Sequence, residues 1–219
     1  MVKLAQTSDA ARMDRHYRFQ RWIYDSTRTH YLLGRNYLLR ALQPGDGQSV
    51  LEIGCGTAWN LGKLAKRYPQ TSLYGVDVSN AMLETARLSL RRKGLENHIR
   101  LEQGDATNFD PQALFGHSAF DRVFFSYALS MIPAWEVALE HAAQLVAPGG
   151  SLHIVDFGQC ERLPTVFKAG LFAFLSHYTV RPRENLEYSV REVADRHGLN
   201  AQFFRRHRGY TDYTVLARS

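Results

Sequence analysis

The 219-residue chain has only two cysteines, Cys55 and Cys160, too few and too far apart for a disulfide framework or a thiolate metal site. Its nine histidines are scattered without zinc-ligand spacing, so no metal is assigned. No segment approaches the roughly 18 uninterrupted apolar residues that span a bilayer. The opening MVKLAQTSDAARMD lacks an apolar core of signal-peptide length, and the expectation is a cytoplasmic protein. Internal repeats and low-complexity segments are missing too. What the chain does have is 45% hydrophobic and 22% charged residues, the balance of a globular domain able to bury a sizeable core.

The formal charge of +6 is unevenly spread. The first forty residues carry eight Lys or Arg against three Asp, and the last twenty carry four Arg against one Asp. Basic ends on a balanced middle suit an anionic partner: nucleic acid, an acidic lipid surface or a carboxylate substrate. Plain solvated charge is the alternative. Within the basic N-terminal stretch, HYRFQRWIYDSTRTHYLLGR places Tyr17, Tyr24 and Tyr31 seven residues apart, each followed four residues later by an arginine, Arg21, Arg28 and Arg35. On a helix this spacing sets phenols and guanidiniums alternately along one side.

From residue 48 the order of elements is legible. QSVLEIGCGT reads as a buried strand running into a glycine turn, and AWNLGKLAKRYP as a helix that stops at Pro69. SLYGVDVS is a second strand, with Ser79 capping the helix NAMLETARLSLRRKG. IRLEQGDA and the apolar FDRVFFSYAL are strands three and four, the latter expected at the sheet centre. WEVALEHAAQLVAPGG is a helix closed by a Pro-Gly-Gly turn, and SLHIVDF is strand five. The last twenty residues read as an antiparallel hairpin turning near Gly209. The fold class is therefore α/β: a Rossmann-like, open, mostly parallel sheet with helices on both faces and a C-terminal hairpin at its edge. Residues 1–45 are expected to form a helical cap on a core of residues 46–219. Residues 158–185 are expected to form a lid or membrane-facing insertion.

Open α/β sheets bind ligands at the carboxyl ends of their strands. There Gly54 and Gly56 allow a sharp turn and a close backbone approach. Glu52, just before them, has the wrong sign for cradling phosphates but suits a cationic or amine-bearing ligand. No Lys-Ser/Thr pair follows the glycines, so a nucleoside triphosphate is not expected. Asp77 ends strand two, where a carboxylate can accept from ribose hydroxyls, and Asp105 follows strand three. Singly, each of these is as well read as a turn glycine, a helix cap or a solvated acid. Their order and spacing carry the reading.

This ordered set resembles the class I S-adenosylmethionine-dependent methyltransferases over residues 46–157, including the turn Pro148-Gly149-Gly150. The resemblance implies that S-adenosylmethionine is the cofactor. The glycine turn would face its methionine part, and Asp77, with Val78 beside it, would hold the ribose. Asp105 and the Ala106 backbone would lie near the adenine amine. Ala58 departs from the pattern, since many members carry a third glycine there. The Asn/Asp-Pro-Pro-aromatic motif of enzymes that methylate planar nitrogens is replaced after strand four by FSYALSMIP, where Ser126 and Tyr127 are candidate acceptor-pocket residues.

The segment MDRHYRFQRWIYDSTRTHYLLGR resembles the N-terminal part of bacterial betaine-lipid (diacylglycerylhomoserine) N-methyltransferases, a family that methylates one headgroup amine three times. That resemblance makes Tyr24 and Tyr31 the first choices at the reacting amine. Tyr17, Arg28 and Arg35 are candidates for headgroup binding, because arginine pairs with carboxylates in bidentate fashion and tyrosine faces hold cations. A diacyl substrate also needs an apolar path. Phe167, Leu171, Phe174 and Leu175 recur at helical spacing within residues 163–185, with Lys168, Arg181 and Arg183 at the margins. Such a helix rests on an anionic membrane surface, covers a pocket, or packs into the core. The expectation is thus a peripheral N-methyltransferase of a lipid amine headgroup with no nucleic-acid partner. The alternatives are a methyltransferase of another small amine or phospholipid headgroup, and a basic nucleic-acid-binding protein that retains the fold.

Overall fold

The computed structural model describes residues 31–219. Tyr17, Tyr24 and Arg28, and with them most of the expected helical cap, lie outside the described residues. At the boundary, Gly34 takes φ +88° and separates Tyr31 from helix α1 (Arg35–Ala41). That left-handed conformation is open to glycine at little cost. Tyr31 and Arg35 are therefore not neighbours on one continuous helix, contrary to the spacing argument.

The core alternates strands and helices: β1 (Ser49–Ile53), α2 (Trp59–Arg67), β2 (Ser72–Asp77), α3 (Asn80–Arg92), β3 (Ile99–Gln103), α4 (Pro111–Phe115), β4 (Phe120–Ser126), α5 (Trp135–Gln144) and β5 (Val146–Phe157). Then follow α6 (Thr165–His177), α7 (Leu186–His197) and the hairpin β6 (Leu199–Arg206) and β7 (Thr211–Arg218). The sheet order is β3-β2-β1-β4-β5-β7-β6, with β7 antiparallel to both neighbours and the first five strands parallel. β4 is central, as its uniformly apolar sequence requires: Val123, Phe124 and Phe125 are fully buried although they face opposite sides. Burying each such side chain contributes about 1.5–3 kcal/mol.

Local chemistry sets the helix ends. The Ser79 hydroxyl accepts from the Met82 N–H at 3.3 Å, as its position before α3 predicts. Asp110 likewise accepts from Gln112 and Ala113, with Pro111 at the first helical position of α4.

One expectation changes. Strand five begins at Val146 rather than Ser151. Pro148, Gly149 and Gly150 form an irregularity inside it, since Val146 pairs with Phe120 but Ser151 already faces Arg122. The hairpin lies at the sheet edge as expected, with β7 against β5 and β6 outermost. Residues 165–177 pack on the core by one side, with Leu175 buried and Leu171 and Phe172 partly buried, while Val166, Phe167 and Phe174 stay exposed. The β5–β7 register is fixed in part by His153, which bonds Ser151 Oγ at 2.9 Å and Tyr213 Oη at 2.8 Å, while burial pushes its pKa down to about 3. No helix among the described residues is long and apolar enough to cross a membrane.

Candidate active site

The carboxyl ends of β1, β2 and β3 bring Glu52, Asp77 and Asp105 side by side, because these strands are adjacent and in parallel register. Between β1 and α2 the chain reverses through left-handed backbone at Gly54 (φ +73°), Gly56 (φ +53°) and Ala58 (φ +56°). A side chain at Gly54 would come within 2.7 Å of the Ala128 Cβ, in the loop after β4. Ala58 occupies the position where the resemblance anticipates glycine, and it carries the strain a glycine would avoid.

Asp77 holds this turn together. It accepts from the Gly56 N–H at 2.8 Å and from the Ser79 N–H at 2.9 Å. A carboxylate offers about four acceptor positions, so one carboxyl can take several donors at once. Asp105 accepts from the Thr107 N–H and hydroxyl at 2.9 and 2.7 Å. Glu52 is buried and receives the Asn60 amide at 2.6 Å. Asn60 in turn accepts from Arg35 Nε at 3.3 Å and Nη2 at 3.1 Å, and the Arg35 guanidinium lies 3.9 Å from the centre of the Trp59 ring. Arg35, expected to meet a substrate carboxylate, thus supports Glu52 through Asn60. Neither Asn60 nor Trp59 carries a separate signal in the sequence, although both stand at the start of AWNLGKLAKRYP.

Val78 offers its carbonyl to Gln103, and Ala106 packs partly buried against the core. Burial, with Asp77 and Glu52 nearby, pushes the Cys55 thiol well up, so this residue is an apolar filler. Acids suited to hydroxyl, amine and sulfonium groups, around a turn with no side chain at Gly54 or Gly56, fit S-adenosylmethionine. A cavity of about 600 Å³ lies elsewhere, between α3 and the β2–β3 side of the sheet.

The other half of the strand ends differs in kind. Tyr127 follows β4 at φ +56°, a costly conformation for an aromatic residue, and its buried hydroxyl donates to the Leu33 carbonyl beside Thr211 Oγ1. Instead of lining a pocket with that hydroxyl, Tyr127 ties the β4 loop to residue 33 and β7. Its ring begins an aromatic run: Tyr127 to Phe157 at 4.6 Å, Phe157 to Tyr210 at 5.9 Å and Tyr210 to Phe167 at 6.5 Å. Tyr31 joins from the side, accepting the Tyr210 hydroxyl on its carbonyl at 2.9 Å and meeting Phe174 edge-on at 6.1 Å.

Buried polar atoms without a hydrogen-bond partner among the described residues gather here: Ser126 Oγ, Gln159 Nε2 and Asp212 Oδ1. Asp212 faces Asp156 directly across β5 and β7. Asp156 accepts from Ser130 N–H at 3.0 Å and Phe157 N–H at 2.8 Å, yet burial still raises its pKa. Burial, with Glu161 and Asp156 close by, raises Asp212 to about 7. Of these polar groups only Ser126 was anticipated; the Asp in SLHIVDF and the hairpin Asp gave no separate signal.

Residues 50–150 match a family model described as a methyltransferase domain. Among curated proteins, Methyltransferase GfsG of Streptomyces halstedii is 28% identical over 150 residues, 68% of this chain and 52% of that one. Demethylmenaquinone methyltransferase of Geobacillus stearothermophilus is 29% identical over 138 residues, 63% and 55% of the two chains. The chain thus spans about half the length of these relatives. The YcgJ protein of Bacillus subtilis shares the fold, with a TM-score of 0.64 at 15% identity over 85% of this chain and 98% of that one.

Proposed function

We propose that this chain, whose residues 50–150 match a methyltransferase-domain family model, is a class I S-adenosylmethionine-dependent methyltransferase that methylates the amine of diacylglycerylhomoserine in successive steps to the trimethylated betaine lipid. The observation that carries the lipid part is the aromatic run from Tyr127 to Phe167, which leads from the strand ends to the exposed face of α6. Aromatic faces hold the cation that methylation of an amine creates, and the same rings line an apolar path for acyl chains.

When bound, S-adenosylmethionine supplies an electrophilic methyl group. Asp77 and Asp105 hold its ribose and adenine ends, while Glu52, braced by Asn60 and Arg35, faces the amino-acid end. The unsatisfied Ser126 hydroxyl at the end of β4 is positioned to orient the acceptor. Tyr31, with Tyr17, Tyr24 and Arg28 from the N-terminal segment, would complete the headgroup site. Aligning a neutral amine for in-line attack provides most of the rate, and the amine's own pKa supplies the reactive form without a dedicated base. An acidic membrane surface is the proposed partner, on the inner face of the cytoplasmic membrane.

Purified chain supplied with diacylglycerylhomoserine and labelled methyl donor is expected to give mono-, di- and trimethylated lipid by mass spectrometry. Cofactor binding without any methylated lipid would exclude this acceptor. A second reading follows from the demethylmenaquinone relatives: an apolar ring acceptor, methylated at carbon, would use the same aromatic path. Label appearing in a prenylated quinol but not in the aminolipid would select it.

A further inference from the structure

The outward face of α6 is apolar along its length. Val166 is 87% exposed, Phe167 50% and Phe174 46%, and Ala169, Gly170 and Ala173 complete the face. Scattered exposed apolar residues need no explanation, but a contiguous face of them marks a docking surface.

Just before this helix, the loop after β5 and the β6–β7 turn enclose a cavity of about 320 Å³ lined by Glu161, Arg162, Arg205, Arg208 and Gly209. The two segments are stitched by backbone bonds, Cys160 N–H to the Gly209 carbonyl at 2.8 Å and Arg162 N–H to the Arg208 carbonyl at 3.2 Å. His207 (φ +51°) and Arg208 (φ +60°) both take left-handed backbone, a strain that glycine would avoid. Arg205 is committed to Glu161 at 3.1 Å and Glu187 at 2.8 Å. The guanidiniums of Arg162 and Arg208 have no ion pair or side-chain hydrogen bond with any described residue. Two uncommitted guanidiniums therefore line a cavity whose only carboxylate is already paired. That is an anion site, and guanidinium geometry matches a phosphate oxygen pair.

We propose that the Arg162–Arg208 cavity receives the phosphate of an acidic phospholipid while the Val166–Phe174 face of α6 enters the acyl boundary, so that together they dock the protein on an anionic bilayer. Charge complementarity selects this occupant: the cavity is cationic and opens next to an apolar helix, the pairing by which an interfacial helix engages acidic lipid. Lys168, on the same helix, adds a further cation above the Phe172 ring. The proposal rests on the lipid-facing part of the function above and is independent of which headgroup is methylated.

The test is sedimentation of the full chain with phosphatidylcholine vesicles, with and without phosphatidylglycerol. Binding is expected only to the acidic vesicles and should weaken with salt. The double variant Arg162→Ala/Arg208→Ala is expected to bind them at least about tenfold more weakly, at roughly 1 kcal/mol per basic residue. Val166→Asp should weaken binding at least about fivefold. Leu88→Ser, which removes an exposed apolar residue on α3, should leave it unchanged. Retained S-adenosylmethionine binding and thermal unfolding would show that the variants are folded. Equal binding to neutral vesicles, or undiminished binding by the double variant, would overturn the proposal. So would duplex DNA displacing the protein from acidic vesicles at stoichiometric amounts. Vesicle binding with no methylated aminolipid would uphold docking and reject only the acceptor.

Discussion

The two halves of the sheet's carboxyl edge are built on opposite plans. Over β1–β3, each carboxylate is held by donors from its own neighbourhood: Asp77 by Gly56 and Ser79, Asp105 by Thr107, and Glu52 by Asn60. Over β4–β7, Ser126, Gln159 and Asp212 keep buried polar atoms without partners among the described residues, and a helix with one exposed apolar face stands alongside. The first half is preorganised before any ligand arrives. The second keeps hydrogen-bonding capacity that the proposed acceptor would complete. A cofactor common to a whole family can be met by a fixed cradle, whereas acceptor specificity resides where the protein alone is unfinished.

Breaking the point where the halves meet should have the largest effect. Gly54→Ala adds a side chain 2.7 Å from the Ala128 Cβ and forces alanine to φ +73°. We expect a loss of about 2–4 kcal/mol in urea unfolding. Titration calorimetry should also show S-adenosylmethionine affinity falling at least about tenfold.

The unfinished half is sharpened by Asp212→Asn. The Asp212 pKa rises from 3.8 to about 7 on folding. Its contribution is therefore complete below the unfolded value and is lost as pH rises through about 7. Asn cannot ionise, so the variant is expected to be more stable than the parent by on the order of 2 kcal/mol at pH 8, with the gain vanishing near pH 4. A gain that persists unchanged at pH 4 would mean that Asp212 does not titrate in this way.

The smallest effect tests the finished half. Ala58→Gly removes left-handed strain but adds unfolded-state entropy and deletes a buried methyl. The net stabilisation should be under about 1 kcal/mol, with cofactor affinity unchanged.

The cofactor half was legible because its signals are local. A strand's apolar run, the turn glycines and the acid ending the next strand lie within a few residues of one another, and parallel pairing then aligns them. The short helix α4 was overlooked despite its signal, the Asp-Pro pair of FDPQALF. The β4–β7 half, proposed to take the acceptor, depends on contacts remote in sequence. The Tyr127 hydroxyl meets Thr211 across 84 positions, and the Tyr210 hydroxyl meets the Tyr31 carbonyl across 179. Nothing in YAL marks Tyr127 for a left-handed backbone, and the helical periodicity of residues 165–177 does not show which side remains outside.

The sequence by itself determined the α/β alternation, the central place of β4 and the Glu52–Asp77–Asp105 series, since each follows from side-chain pattern and strand order. Only the tertiary structure decided that β7 inserts beside β5, bringing Asp212 opposite Asp156. It alone left α6 with an exposed apolar face beside the Arg162–Arg208 cavity. The reason is physical: strand insertion and burial of one helix face are set by the whole molecule's competition for apolar contact, and no local segment contains that competition.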